Sequence, residues 1–149
     1  MEQTACMNFV ADYEDVARML FSPLFICDGV LSQKAFTLEV ASNESYISVL
    51  RPSITSFEAD IAGIKKEGNM LYGYALLNVG EIREVRIEYS EPIRLDVLPR
   101  NAGRRKSHAG IFATVGTTRV KGGMPQTVAR MLLRMYLVSI AKKRIINFI

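Results

Sequence analysis

No aspartate or glutamate occurs in residues 100–149, although that stretch holds eleven Lys and Arg residues. All fifteen acids lie in residues 1–99, beside only eight bases. A partition of this kind points to an acidic partner, whether a nucleic acid, a membrane surface or another protein. Tryptophan is absent, so Phe, Tyr, Leu, Ile, Val and Met must fill the core. The chain has two cysteines, Cys6 and Cys27, and one histidine, His108. A four-ligand zinc site cannot be built from that inventory, and neither a metal nor a cofactor is expected. Two-histidine mechanisms within one chain are excluded as well. The phosphate-loop, dinucleotide, nucleophile-elbow and HExxH patterns do not occur. Residues 131–141 form the longest apolar candidate for a membrane span, but they are short and contain Arg134. A span needs about 20 apolar residues. Glu2 and Asp12 flank the first apolar stretch, which lacks the basic-then-apolar order of a secretory leader. A cytoplasmic location is the expectation.

What is present suits a packed single domain over residues 1–149, with 49% apolar residues. Cys27, between Ile26 and Asp28, reads as a reduced small hydrophobe. Asp12 suits a helix cap, with Glu14 and Asp15 at the positive helix end. Val16, Met19 and Leu20 then fall on one helical face, and Pro23 stops the helix. Asp28-Gly29 marks a turn. Phe36, Leu38 and Val40 alternate with polar or small residues as in a strand. Ser42-Asn43-Glu44-Ser45 reads as a hairpin loop, with residues 46–50 returning. Thr55 and Glu58 have capping-box spacing for a second helix with Phe57, Ile61 and Ile64 inside. Gly68 and Asn69 would stop it.

Residues 70–79 read as a central strand. Val85, Ile87 and Tyr89, then Ile93, Leu95 and Val97, alternate as a second hairpin around Ser90 and Pro92. Residues 109–115 are a further strand. Gly122-Gly123 breaks the chain, and Pro125 suits the first turn of a last helix reaching about Arg144. The order predicts an α+β fold: a mainly antiparallel sheet with about three helices packed against it.

The basic third divides into two parts. On a helical projection Arg130, Arg134, Leu137, Ala141 and Arg144 share one stripe, and the wide apolar remainder marks a core helix. The acids Glu81, Glu84, Glu88 and Glu91 are available to answer its cations. The loop carrying Arg100, Arg104, Arg105 and Lys106 has no acids nearby in sequence and can neutralise phosphates or an acidic protein. No Phe, Tyr or Trp interrupts it, so backbone contact is expected rather than base stacking. His108 follows the loop. Neighbouring cations should lower its pKa and favour the neutral ring, a form fit for general-base work. Ser107 should point to the opposite face from it.

Four segments stand in a suggestive order: Leu20-Phe21-Ser22-Pro23-Leu24-Phe25; Asp28-Gly29, Ser32 and Ala35-Phe36; Ser48-Val49-Leu50-Arg51; and Ser107-His108-Ala109-Gly110-Ile111. Together they resemble a pattern of small bacterial proteins with no established activity. The resemblance implies no role, but it singles out Asp28, Ser32, Arg51 and His108 as polar positions.

Two functions are therefore expected. The first is a binding module whose basic C-terminal third engages an acidic protein or a nucleic-acid backbone. The second is a small toxin-like nuclease or transferase acting on a phosphate-bearing substrate. In that enzyme His108, Ser32, Asp28 and Arg51 would be the catalytic set, and the basic loop would steady developing charge.

Overall fold

A computed structural model describes residues 8–37, 39–41, 44–64, 68–89, 91–101, 103, 105–119 and 127–148. Its strands are β1 Asp15–Ser22, β2 Ile26–Cys27, β3 Val30–Leu31, β4 Glu39–Ala41, β5 Glu44–Leu50, β6 Met70–Asn78, β7 Arg86–Tyr89, β8 Glu91–Pro99, β9 His108–Val115, β10 Thr118–Arg119 and β11 Ile145–Asn147. Its helices are α1 Phe57–Ala62, α2 Val79–Glu84 and α3 Thr127–Ala141, with a 3-10 turn at Gln33–Phe36. The main sheet runs β11-β6-β1-β5-β9-β8-β7, and every pairing in it is antiparallel. The architecture is α+β, with a curled sheet. The curl brings its two ends towards each other: α3 packs on β6, β7 and α2, although β6 and β7 lie near opposite ends of the strand order.

Residues 15–22 form a strand, not the expected helix. Val16 through Phe21 are all buried, so β1 is covered on both faces. A doubly buried strand has no alternation to display, and its short apolar run imitates a helical stripe. Its flanking acids do not serve a helix start either. Asp12 meets Arg83, Glu14 meets Arg51, and Asp15 makes two hydrogen bonds to Arg144.

Other expectations shift locally. Phe36 belongs to the 3-10 turn rather than to a strand, while β4 and β5 do form a hairpin. Helix α1 exists, but Ser56 is its N-cap and no side chain caps it. The Ser56 hydroxyl instead donates to Asp60 Oδ2. That helix ends at Gly63, well before Gly68. A helix at 79–84 was not anticipated; Asn78 caps it by accepting the Glu81 N–H. The β7–β8 hairpin follows the alternating pattern, with Ile87, Ile93, Leu95 and Val97 buried. Cys27 is a free, exposed thiol rather than a packed hydrophobe. Cys6, Leu38, Ser42, Asn43, Ser90, Arg104, Gly122, Gly123 and Pro125 lie outside the described residues.

The last helix does cover the core, but with a different stripe. Leu133, Leu137 and Ala141 are buried, whereas the projection had placed Leu137 and Ala141 among the arginines. Met131, Met135 and Tyr136 are exposed. A wide apolar arc does not by itself say which of its edges meets the sheet. The apolar tail packs on its own domain: β11 pairs with β6, and Phe148 donates its N–H to the Tyr72 carbonyl. Gly73 makes room for this. A Cβ there would overlap the Ile146 carbonyl. Gly73→Ala should therefore displace β11, cost about 1–3 kcal/mol, and speed amide exchange at residues 145–147 in hydrogen-exchange mass spectrometry.

Candidate functional site

The ladder between β5 and β9 builds the site. Its register pairs Leu50 with His108 and Ser48 with Gly110. Opposed residues share a face, so Ser48 and His108 are diagonal neighbours on one side. Val49, Ile47, Ala109 and Ile111 face the core and are fully buried or nearly so. On the site face the Ser48 hydroxyl oxygen lies 2.7 Å from His108 Nε2. Tyr46 meets the imidazole edge-on at 6.0 Å, and the Arg100 guanidinium lies over the Tyr46 ring, 4.4 Å from its centre.

Two cavities flank His108. One, of about 200 Å³, is lined by Arg18, Ser48, Arg105 and His108 together with apolar side chains from Met19 to Ile64. The other, of about 400 Å³, is lined by Tyr46, Pro99, Arg100, Asn101, Gly103 and His108. No acidic side chain among the described residues lines either. Arg18 is held rigidly at the first. Its Nε donates to the Ala35 carbonyl at 2.7 Å and its Nη1 to the Ser48 carbonyl at 2.8 Å, while its guanidinium lies over Phe25.

The basic loop is the connection between β8 and β9. The Arg100 N–H donates to the His108 carbonyl, and the His108 N–H to the Arg105 carbonyl. Its far end is pinned by Asp60 of α1. Asp60 Oδ2 accepts from the Ser107 N–H at 3.0 Å and from the Ser107 hydroxyl at 2.6 Å. Burial works to raise the Asp60 pKa. The bonds from Ser107 and Ser56 and the Arg105 charge outweigh it, and the pKa falls below its ordinary value. Ser107 is thus buried and turned away from His108, as adjacent strand residues should be. Arg105 donates to the Gly63 carbonyl and Lys106 to the Asn101 carbonyl, and both side chains are exposed.

The His108 pKa lies below the ordinary histidine value. Burial is the main cause, and the Arg100 and Arg105 charges add to it. A hydrogen bond to the Arg100 backbone opposes the shift. The sequence anticipated the direction and the cations but not the larger part played by burial.

The four residues singled out together do not gather around one cavity. Asp28 occupies the β2–β3 turn with Gly29; both have positive φ, as a two-residue hairpin requires. Ser32 caps the 3-10 turn by accepting the Lys34 N–H. Arg51 is fully buried on Glu14, with its Nε and Nη2 on the two carboxylate oxygens at 3.0 and 2.9 Å. Ser53 and the Ala11 N–H complete the carboxylate, and the Phe9 carbonyl accepts from Arg51. Burial would raise the Glu14 pKa, but these bonds hold it below the usual carboxylate value. Only His108 lines the cavities. Ser48 and Arg18 were not anticipated as site residues. The partner of Ser48 lies sixty residues away, and the apolar spacing around Arg18 predicts a helix. Arg104 lies outside the described residues.

Among the described residues no cluster of three His, Cys, Asp or Glu side chains could hold a metal. No helix among them is long and apolar enough to cross a membrane. The chain matches no family model, no curated protein and no solved structure.

Two outcomes follow from these environments. Arg51→Met strands a buried carboxylate and should cost about 3–5 kcal/mol in denaturant unfolding. His108 supplies the chain's sole imidazole signal. Its NMR titration midpoint should fall below about 6.5, and Arg100→Ala and Arg105→Ala should each raise it. Since the folded pKa is the lower one, the stability due to neutral His108 is present above the unfolded pKa. It drains as pH falls towards the folded value.

Proposed function

We propose that this chain is a binding module for an acidic partner, and that the partner's anionic groups enter the two cavities flanking His108. The observation that carries the reading is the distribution of charge around those cavities. Arg18 and Arg105 line one and Arg100 the other, with no acidic lining residue among those described. Several cations elsewhere have carboxylate partners. Lys143 pairs with Glu81, Arg144 with Asp15, and Arg83 with Asp12 and Asp96. The charge partition of the sequence is thus partly cancelled within the fold, and the loop between β8 and β9 brings Arg100 and Arg105 to the cavity walls.

The partner class favoured is a phosphate backbone, because two guanidinium groups lining one small concavity suit tetrahedral oxyanions. Such binding releases counterions and weakens steeply with salt. Labelled single- and double-stranded oligonucleotides, titrated at rising salt with fluorescence anisotropy, provide the test. The combined Arg100→Ala, Arg105→Ala and Lys106→Ala variant should weaken binding by at least about 10-fold, and Lys143→Ala should change it little. Absence of binding to RNA and DNA at low salt removes the nucleic-acid version. Absence of binding to an acidic polypeptide as well removes the module reading.

A second reading is favoured by the Ser48–His108 contact. It is a small nuclease or transferase on a phosphate-bearing substrate, with His108 as acid or base and Arg105 steadying charge. Arg51 has no part in it, since its guanidinium is committed to Glu14.

A further inference from the structure

We infer that Ser48 is a nucleophile activated by His108, and that the smaller cavity takes a carboxylic ester with an apolar acyl part and an anionic group. The anionic group alone rests on the binding reading above; the nucleophile does not.

The geometry has the two parts such a site needs first: a nucleophile and a base in contact with it. Ser48 Oγ is 2.7 Å from Nε2. With Nε2 on Ser48, the tautomer that carries its proton on Nδ1 leaves Nε2 the lone pair that a base requires. His108 opens β9 directly after the hairpin connection, which Asp60 anchors through Ser107. Ser48 itself is held from behind, because Arg18 bonds its carbonyl.

The cavity that Ser48 and His108 share decides the substrate class. Met19, Phe21, Phe25, Leu50 and Ile64 supply apolar wall, and Arg18 and Arg105 supply positive charge. Acyl transfer is therefore furnished with both an apolar seat and cations for a developing oxyanion. In the first step the Ser48 oxygen bonds to the ester carbonyl carbon while its proton passes to Nε2. Collapse of the tetrahedral intermediate breaks the bond to the leaving alcohol, which takes that proton. Water then attacks the acyl-serine, giving a proton to Nε2. The carbon–Oγ bond breaks, and the proton returns to Ser48. The sum is ester and water to acid and alcohol, with no redox partner.

The test uses diisopropyl fluorophosphate on the full chain, read by intact mass and peptide mapping. One diisopropylphosphoryl group should be added at Ser48. There the Oγ–P bond forms, the P–F bond breaks, fluoride leaves and His108 receives the proton. The labelling rate should rise with pH through the His108 titration and then level off. Ser48→Ala should abolish the adduct. His108→Gln keeps a hydrogen-bonding side chain and should slow labelling on the order of 100-fold without loss of the folded circular-dichroism spectrum. Hydrolysis of p-nitrophenyl butyrate should follow the same pH profile and the same variants. No adduct on the wild-type chain, an adduct at another residue, or a rate indifferent to His108→Gln overturns the proposal. The reagent carries no charge, so its failure is separate from failure of the anion reading. Protection of Ser48 by inorganic phosphate supports the anionic part of the substrate, and labelling unaffected by phosphate overturns that part alone.

Discussion

The antiparallel ladder between β5 and β9 is the constraint on which the rest of the site depends. Its register pairs Leu50 with His108 and Ser48 with Gly110, and one step beyond it the Arg51 N–H bonds the Ser107 carbonyl. A slip by one residue would exchange the two faces. Val49 and Ala109 would leave the core, and His108 would be driven into it. Two buried carboxylates resist that slip. Glu14 holds Arg51 at the end of β5, and Asp60 holds Ser107 at the start of β9. Their work is to make one register the favourable one.

Gly110 adds a steric condition to the same ladder. A Cβ at that position would meet Tyr46 and Phe112 at 2.9 Å. The absence of a side chain opposite Ser48 lets those rings close over the sheet, and Tyr46 in turn supports Arg100. Local packing and the placement of charge are therefore one arrangement. Burial of the imidazole and the cations around it act in the same direction, towards a neutral ring at pH 7.

The charge asymmetry of the chain takes on a different meaning in three dimensions. Asp12, Glu14 and Asp15 lie within four residues of one another, and each meets an arginine from a different part of the fold. The exposed pairs contribute little to stability. Their effect is to remove charge from the surface around α3 and α2. The cations that line the two cavities come from a hairpin connection and, with Arg18, from the acid-rich part of the chain. The grouping of cations around the cavities therefore does not follow the sequence boundary at residue 100.

Much of the fold was legible where one face of an element meets water. The β7–β8 hairpin and the Asp28-Gly29 turn announce themselves through alternation and turn chemistry. β1 did not, because burial on both faces erases periodicity, and α3 showed a helix without showing its inner edge. Of the candidate site, His108 and the basic loop could be read directly, and Ser48, Arg18 and Asp60 could not. By itself the sequence determined the residue inventory: one imidazole, a cluster of bases without nearby acids, and no material for a Cys/His zinc site. Tertiary structure alone decided which serine meets the imidazole, which arginine is spent on Glu14, and which cations face open cavities. Those outcomes depend on strand pairing across sixty residues, and local chemistry carries no record of a register that only the assembled sheet enforces.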